Sequence, residues 1–153
     1  MSENFRFVRD CHSGSTGLCS INLDGSEKKE LYHHKGSSIY AFSLLGNELY
    51  FVSKTDSQNF FPQFLSDELK GDKYKTLVEE LFEYLSPITY KNKVYLGMSI
   101  GLLYEAENGN IRELVKQEEI DTSKELISFC VDDNGINLLM ERNGEYELQR
   151  ISK

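Results

Sequence analysis

The sequence predicts an all-β fold built from about three and a half copies of one repeated unit. An asparagine that leads into a short aliphatic or aromatic run recurs at positions 4, 47, 92 and 134. A second strand-like segment follows the run and ends, in two copies, at a tight-turn dipeptide, Asp24-Gly25 or Asn108-Gly109. A further strand-like segment precedes the run from the second copy onward. Together these regularities indicate strands joined by short turns.

The spacing of the four runs identifies the type of repeat. The runs cover residues 4–8, 47–52, 92–96 and, as a weaker copy, 134–140. Successive asparagines are 43, 45 and 42 residues apart. Periods of about 40–50 residues are typical of β-propeller blades of four strands. We therefore predict a β-propeller-like repeat of about 3.5 blade units within one domain that spans residues 1–153.

Each repeat follows the order of strands in a propeller blade. The asparagine-led run is the second strand, and the innermost strands that precede it are predicted at residues 39–44, 88–90 and 126–131. After the run come segments at residues 18–23 and 102–107, then segments at residues 28–32 and 111–115. Asp24-Gly25 and Asn108-Gly109 supply the positive φ that a two-residue hairpin turn needs, and Asn134-Gly135 is expected to act likewise.

Residues 73–85 fit two different structures. Apolar side chains recur there at helical spacing, and they are Tyr74, Leu77, Val78, Leu81, Phe82 and Leu85. Spacing of this kind is typical of an amphipathic helix. The repeat instead places a fourth strand near residues 75–79. The sequence leaves both alternatives open, a short helix inserted between blades or a strand within a blade.

One segment resembles a known family of repeats. Asn22-Leu23-Asp24-Gly25-Ser26-Glu27-Lys28-Lys29-Glu30-Leu31 is similar to the N-x-D-G-S-x-x-x-x-L segment of bacterial propeller repeats of the low-density-lipoprotein-receptor type. The similarity covers residues 18–53, and it implies that the Asp-Gly turn joins the third and fourth strands of a blade. The Tyr-Trp-Thr-Asp motif of the receptor type is absent, because Leu49-Tyr50-Phe51-Val52-Ser53 stands in its place.

Charge and composition restrict the classes of partner. The chain has 17 Lys and Arg against 25 Asp and Glu, a net charge of −8. Nucleic acids and anionic membranes attract clustered basic residues, so we expect neither as a partner. The acidic balance favours solubility or a basic protein partner. The N-terminal segment has no apolar signal region and the three cysteines show no paired spacing, so we expect a cytoplasmic protein.

Metal-binding and catalytic motifs are not evident. Cys11 and Cys19 have seven residues between them and His33 is adjacent to His34, whereas structural zinc sites use shorter Cys gaps and longer His gaps. Residues 12–17 are rich in Gly and Ser but lack the Gly-x-Ser-x-Gly and P-loop patterns. Residues 132–135 lack the alternating ligands of a calcium loop. We therefore predict no cofactor, no metal and no catalytic residues.

The repeat places several loops on one face, where we predict a protein partner to bind. The predicted partner-binding residues are His12, Ser13, His33, His34, Lys35, Lys54, Asp56, Glu118, Glu119 and Arg142, with Phe60 and Phe61 as an apolar patch. We predict a non-catalytic interaction module, an inhibitor or regulator of a partner protein, that also self-associates. The alternatives are a structural self-assembling subunit and a propeller-type hydrolase or lyase, and fold alone does not choose among them.

We predict that a Zn²⁺ chelator leaves the melting temperature of the protein unchanged. The Cys and His spacing does not suit a closed zinc site, so no metal-dependent folding energy should be lost. Thermal unfolding followed by circular dichroism, with and without chelator, checks this. A large drop in Tm on chelation would contradict it.

Overall fold

The structure is a computed structural model that describes residues 5–12, 15–33, 38–54, 63–68, 75–81, 83–116, 119 and 121–152. These residues form fourteen strands in four antiparallel sheets. The first sheet contains β1 (Phe5–His12), β2 (Ser15–Asn22) and β3 (Lys29–His33), and the second contains β4 (Ser38–Leu45), β5 (Glu48–Lys54), β6 (Gln63–Glu68) and β7 (Lys75–Val78). The third contains β8 (Ile88–Tyr90), β9 (Lys93–Gly97), β10 (Leu103–Glu107) and β11 (Asn110–Val115), and the fourth contains β12 (Glu125–Asp132), β13 (Gly135–Arg142) and β14 (Glu145–Ser152).

Strands within each sheet are ordered as they occur along the chain, which is the order expected for a propeller blade. The asparagine-led runs become β1, β5, β9 and β13, which take the place of the second strand of a blade. In the described residues the first sheet has the second to fourth strands of a blade, and the fourth sheet has the first to third. The all-β prediction is therefore confirmed. No helix among the described residues is long and apolar enough to cross a membrane.

The structure distinguishes between the helix and the strand that the sequence left open at residues 73–85. Residues 75–78 form β7 and pair antiparallel with β6, with Val78 opposite Phe64. No described residue from 75 to 85 is helical, so the helix alternative is wrong. The helical spacing of apolar residues arises because Leu77, Val78 and Leu81 all pack into one core cluster from a strand and the irregular segment after it. Pairing with β6 also satisfies backbone groups that would otherwise form a sheet edge.

Three of the four repeated asparagines lie in tight turns between the innermost and second strands, and Asn4 lies outside the described residues. The turns are Gly46-Asn47, Lys91-Asn92 and Asp133-Asn134. Gly46 and Lys91 have φ values of 61° and 53°, as the first position of a type II′ hairpin turn requires. These turns fix the register of the three hairpins, and Asn is the second turn residue in each.

Two of the predicted turns are corrected by the structure, and one is confirmed. Asn108-Gly109 joins β10 and β11, with φ of 51° and 65°. Asp24-Gly25 is not a two-residue turn, because residues 23–28 separate β2 from β3 and the Asp24 carboxylate accepts hydrogen bonds from Ser26 N (2.9 Å) and Ser26 Oγ (2.6 Å). Asn134-Gly135 is displaced by one residue, because Gly135 already begins β13.

The core consists of three apolar clusters, each located between neighbouring sheets. Side chains alternate between the faces of a strand, so one strand contributes to two clusters. In β5, Leu49 and Phe51 pack towards the first sheet, whereas Tyr50 and Val52 pack towards the third. In β9, Val94 and Leu96 pack towards the second sheet. The second and third sheets are thus covered on both faces.

The repeat aligns equivalent positions of the three second strands β5, β9 and β13. Counted from the preceding turn, Tyr50, Tyr95 and Asn137 are equivalent, and each faces away from the preceding sheet. Tyr50 and Tyr95 are buried between sheets, and burial raises the pKa of each phenol to about 12. Asn137 instead donates a hydrogen bond of 3.0 Å to Asp132, which also pairs with Arg150 at 2.9 Å. The outward face of the fourth sheet is therefore polar where the second and third sheets place a buried tyrosine.

Contacts between the sheets follow the order of the chain. The innermost strand β4 contacts β2 of the first sheet and β8 and β9 of the third, and β9 contacts β12 of the fourth. Hydrogen bonds reinforce this order, since Thr89 Oγ1 lies 2.5 Å from Ser43 Oγ and Tyr90 donates to Asp133 at 2.6 Å. No packing of comparable extent joins the first and fourth sheets within the described residues. The sheets therefore form a series in which each one packs on the next.

We predict that Leu96→Ala lowers the free energy of unfolding by about 2–5 kcal/mol, because it leaves a cavity between the second and third sheets. Leu148→Ala is the matched control, because Leu148 is also a strand leucine but is 79% exposed, and its substitution should change stability by less than about 0.5 kcal/mol. Urea denaturation followed by circular dichroism measures both values. Equal effects of the two substitutions would contradict the assignment of the core.

Candidate partner-binding face

Two kinds of connection emerge at the same end of every sheet. Successive strands of an antiparallel sheet run in opposite directions. The connections that leave the second strand and those that enter the innermost strand therefore lie together, at the end opposite to the asparagine turns. We call this end the loop face. Its described parts are residues 79–81, 83–87, 98–102, 119, 121–124 and the turn after β13.

The predicted partner-binding residues are distributed along this face as far as the structure describes them. His12, His33 and Lys54 are the final residues of β1, β3 and β5, so their backbones lie at this end. Glu119 and Arg142 are exposed, and Arg142 ends β13 rather than lying in a loop. Outside the described residues lie Ser13, His34, Lys35, Asp56, Phe60, Phe61 and Glu118. A role of these residues in partner binding stays a prediction.

Phe60 and Phe61 of the predicted apolar patch lie outside the described residues, and Phe64 follows them closely in the chain. Phe64 lies in β6, a strand that the sequence analysis did not identify, and it is fully buried against Tyr50 with ring centroids 6.2 Å apart. It belongs to the core between the second and third sheets.

Sequence reasoning missed a cleft on the loop face between the third and fourth sheets. Its volume is about 270 Å³, and it is lined by Glu83, Ser99, Ile100, Thr122, Lys124 and Glu125. Glu83 precedes the innermost strand β8, and Ser99 and Ile100 follow the second strand β9. The repeat could have identified Glu83, Ser99 and Ile100. They lie in the connections that enter an innermost strand or leave a second strand, and the equivalent connections of other repeats contain the residues predicted to bind a partner.

Hydrogen bonds hold the walls of this first cleft in place. Ser99 Oγ donates to Glu83 Oε2 at 2.9 Å, and the Ser99 amide donates to the Glu83 carbonyl at 2.8 Å. The Leu126 amide donates to the Ser99 carbonyl at 2.7 Å. Ser99 is thus bonded to the connection before β8 on one side and to the start of β12 on the other. Ile100 remains 42% exposed at the rim of the cleft.

A second cleft of about 360 Å³ lies beside the first. It is lined by Lys124, Met140, Glu141, Arg142, Glu145, Tyr146 and Glu147. Lys124 lines both clefts, and its Nζ is 2.7 Å from Glu147 Oε2 and 3.9 Å from Asp121 Oδ2. Its side chain is only 18% exposed. The lysine therefore separates two adjoining depressions and is held by carboxylates.

The surface around the two clefts is acidic. Five carboxylates line the clefts against two cations, and they are Glu83, Glu125, Glu141, Glu145 and Glu147 against Lys124 and Arg142. The hydrogen bond from Lys124 holds the pKa of Glu147 below its ordinary value. Hydrogen bonds from Ser123 lower the pKa of the neighbouring Asp121 in the same way. These two groups are therefore ionised at neutral pH.

Possible metal ligands are not grouped in the described part of the chain. Within it, no set of three His, Cys, Asp or Glu side chains is arranged to hold a metal ion. The side chains of Cys11, His12, His33 and His34 lie outside the described residues. The groups that the clefts offer to a ligand therefore include carboxylates, the ion-paired Lys124 and the exposed Ile100.

Two solved structures with TM-scores above 0.5 support the propeller-like fold. A prolyl endopeptidase structure aligns with 97% of this chain at a TM-score of 0.63 and 14% sequence identity. TolB from Acinetobacter baumannii aligns with 97% of the chain at a TM-score of 0.56 and 11% identity. The N-terminal domain of Nup159 aligns with 94% of the chain, and with 47% of its own length, at a TM-score of 0.45 and 12% identity. No protein-family model and no curated protein matches the sequence.

The extent of these likenesses limits what they show. This chain spans about 24% of the length of the prolyl endopeptidase and about 41% of TolB. At identities this low, structural likeness shows the fold alone. The chain therefore has a β-propeller-like fold, and its function must be argued from its own loop face.

We predict that Lys124→Met raises the pKa of the Glu147 carboxyl towards its ordinary value, because the hydrogen bond and charge that stabilise its ionised form are lost. Lys116→Met removes an exposed lysine elsewhere and is the control. Carbon-detected NMR titration of the glutamate side chains between about pH 2 and pH 7 measures both pKa values. An unchanged Glu147 pKa in Lys124→Met would show that the ion pair does not form in solution.

Proposed function

We propose that this chain is a non-catalytic protein-interaction module that binds a partner protein through the loop face, and that it inhibits or regulates that partner. The observation that carries the proposal is the pair of adjoining clefts that meet at Lys124. Propeller-like folds place the loops of successive sheets side by side, so a partner can contact several at once.

Apolar contact would come from side chains at the rims of the clefts. Ile100 is exposed at the first cleft, and Tyr146, which lines the second, is 68% exposed. Interfaces typically combine a few apolar or aromatic anchors with a polar surround. Because hydrogen bonds hold the adjacent Ser99 on both sides, Ile100 is presented with little ordering cost on binding.

The charge of the clefts favours a basic partner. Five carboxylates border the two depressions, and charges of one sign steer an oppositely charged surface during encounter. Lys and Arg side chains of the partner would pair with Glu83, Glu125 and Glu141. The net charge of −8 acts in the same direction at longer range.

We favour binding over a hydrolase or lyase activity because Ser99 is poorly placed to act as a nucleophile. Among the described residues that line the first cleft, Ser99 is the only one whose hydroxyl is fixed by a side-chain hydrogen bond. Ser99 is 7% exposed, and its Oγ donates to Glu83. A nucleophile must reach its substrate and be activated by a neighbouring base. We propose in addition that residues 18–53 belong to bacterial propeller repeats similar to the low-density-lipoprotein-receptor type, because residues 22–31 resemble their Asp-Gly segment.

We further propose that the protein functions in the cytoplasm. Cys130 is an exposed free thiol. An exposed free thiol persists in a reducing compartment.

We predict that a photo-crosslinking amino acid at position 100 captures the partner in the native cell, whereas the same amino acid at position 23 does not. Leu23 is an exposed aliphatic residue, 65% against 42% for Ile100, and it lies in the β2–β3 connection at the opposite end of the sheets. Mass spectrometry of the crosslinked products identifies the partner. Equal capture at both positions would contradict a specific loop face.

The same crosslinking experiment tests whether the carboxylates of the first cleft attract a basic partner. Glu125→Lys should reduce capture at position 100, because it places a cation in the first cleft, whereas Glu30→Lys changes the same charge on the exposed surface of β3 and should not. Circular dichroism checks that both variants fold. Undiminished capture by Glu125→Lys would show that the partner surface is not basic.

A further inference from the structure

We infer, building on the proposed function, that Lys124 is an autoinhibitory contact: its ammonium occupies carboxylates at the second cleft that bind a basic, extended segment of the partner protein, and that segment displaces it. A ligand binds only to molecules whose site is free, so an internal occupant lowers the apparent affinity. The contact therefore reserves the site for partners that supply a cation of their own.

The ammonium of Lys124 lies between two carboxylates from different parts of the chain. Its Nζ is 2.7 Å from Glu147 Oε2 and 3.9 Å from Asp121 Oδ2. The Lys124 side chain is only 18% exposed, whereas those of Glu147 and Asp121 are 55% and 53% exposed. Each carboxylate is therefore open to solvent on the side that the ammonium does not cover, and a second cation can approach it there.

Both carboxylates have partners that hold them when the lysine leaves. Asp121 Oδ1 accepts hydrogen bonds from Ser123 N (3.0 Å) and Ser123 Oγ (2.6 Å). Glu147 Oε1 accepts a hydrogen bond of 3.1 Å from Gln149 Nε2. The pKa of Glu147 is lowered mainly by the hydrogen bond from Lys124, and the charge of Asp121 opposes this shift. Departure of Lys124 thus leaves two preorganised carboxylates that repel each other and attract another cation.

Release of Lys124 from this pair carries a small cost. An ion pair whose carboxylate is exposed contributes little to stability, because water solvates both charges when the pair separates. The backbone amide of Lys124 donates to the Asp121 carbonyl at 3.0 Å, so the turn keeps its shape when the side chain moves. Lysine carries its ammonium on a flexible four-carbon stem. A cation supplied by the partner therefore takes the place of the ammonium without rearrangement of the backbone.

Displacement of Lys124 also changes the shape of the loop face. Its side chain lines both clefts, the first together with Ile100 and the second together with Tyr146. When it moves away from Glu147, the partition is removed and the two depressions join into one groove. An extended segment then contacts Ile100 at one end and Tyr146 at the other, with a Lys or Arg on Glu147 between them. A segment without a basic residue at that point leaves the carboxylate unpaired, which selects against neutral partners.

Titration with a basic peptide tests the competition. The probe is tetralysine, its control is the same peptide with every side chain acetylated, and the amide chemical shifts of residues 140–147 report binding at low ionic strength. Lys124→Met should bind tetralysine roughly two- to fivefold more tightly than the wild type does. Lys29→Met removes the same charge from an exposed position at the opposite end of the sheets and should leave the affinity unchanged. The acetylated peptide should bind to none of these proteins.

A double-mutant cycle separates competition for Glu147 from a general effect of charge. Glu147→Gln should weaken tetralysine binding more in the Lys124→Met background than in the wild type, because Lys124 already occupies this carboxylate in the wild type. Equal losses in the two backgrounds would overturn the inference, and so would equal affinities of Lys124→Met and Lys29→Met. Circular dichroism checks that each variant is folded.

These affinities are measured on the purified chain, independently of partner capture at position 100. Capture at position 100 without a gain in affinity for Lys124→Met would overturn the autoinhibitory contact and leave the proposed function standing. A gain in affinity that depends on Glu147, without capture at position 100, would support the contact and count against the proposed function. Absence of tetralysine binding to the wild type and to Lys124→Met would overturn the contact outright.

Discussion

The structure depends on second strands that are buried on both of their faces. In β5 and β9, adjacent side chains point to opposite neighbouring sheets, so each strand connects two of the three core clusters. Tyr50 shows how closely the sheets are coupled. Its hydroxyl donates to Glu48 at 2.5 Å and accepts a hydrogen bond of 3.0 Å from the Gly109 amide of the third sheet. A buried phenol with partners on both sheets fixes their separation as well as covering apolar surface.

The same position explains why the fourth sheet differs from the others. Asn137 replaces the buried tyrosine of the repeat, and its hydrogen bond to Asp132 keeps the outward face compatible with water. The substitution of one residue type thus gives the fourth sheet a polar outward face at this position.

The loop face illustrates how a repeat produces a site without a motif. No single repeat contains the first cleft, because its walls come from the connections that precede β8, follow β9 and precede β12. Lys124 joins this cleft to the second through its ion pair with Glu147, a residue 23 positions away in the chain. The residues that line the two clefts are therefore spread over a segment of about sixty-five residues, and none of them belongs to a recognisable sequence motif.

Local sequence determined most of the strands, their order and one of the three predicted two-residue turns. Alternation of apolar residues and the turn propensities of Asn and Gly act over a few positions, so they are readable directly, as for β9 and the Asn108-Gly109 turn. Only the tertiary structure decided that residues 75–78 are a strand, that Phe64 is core and that Ser99, Ile100 and Lys124 share one cleft. The physical reason is that burial of these residues depends on which sheet lies opposite them. That neighbour is distant in sequence, and no local pattern specifies it.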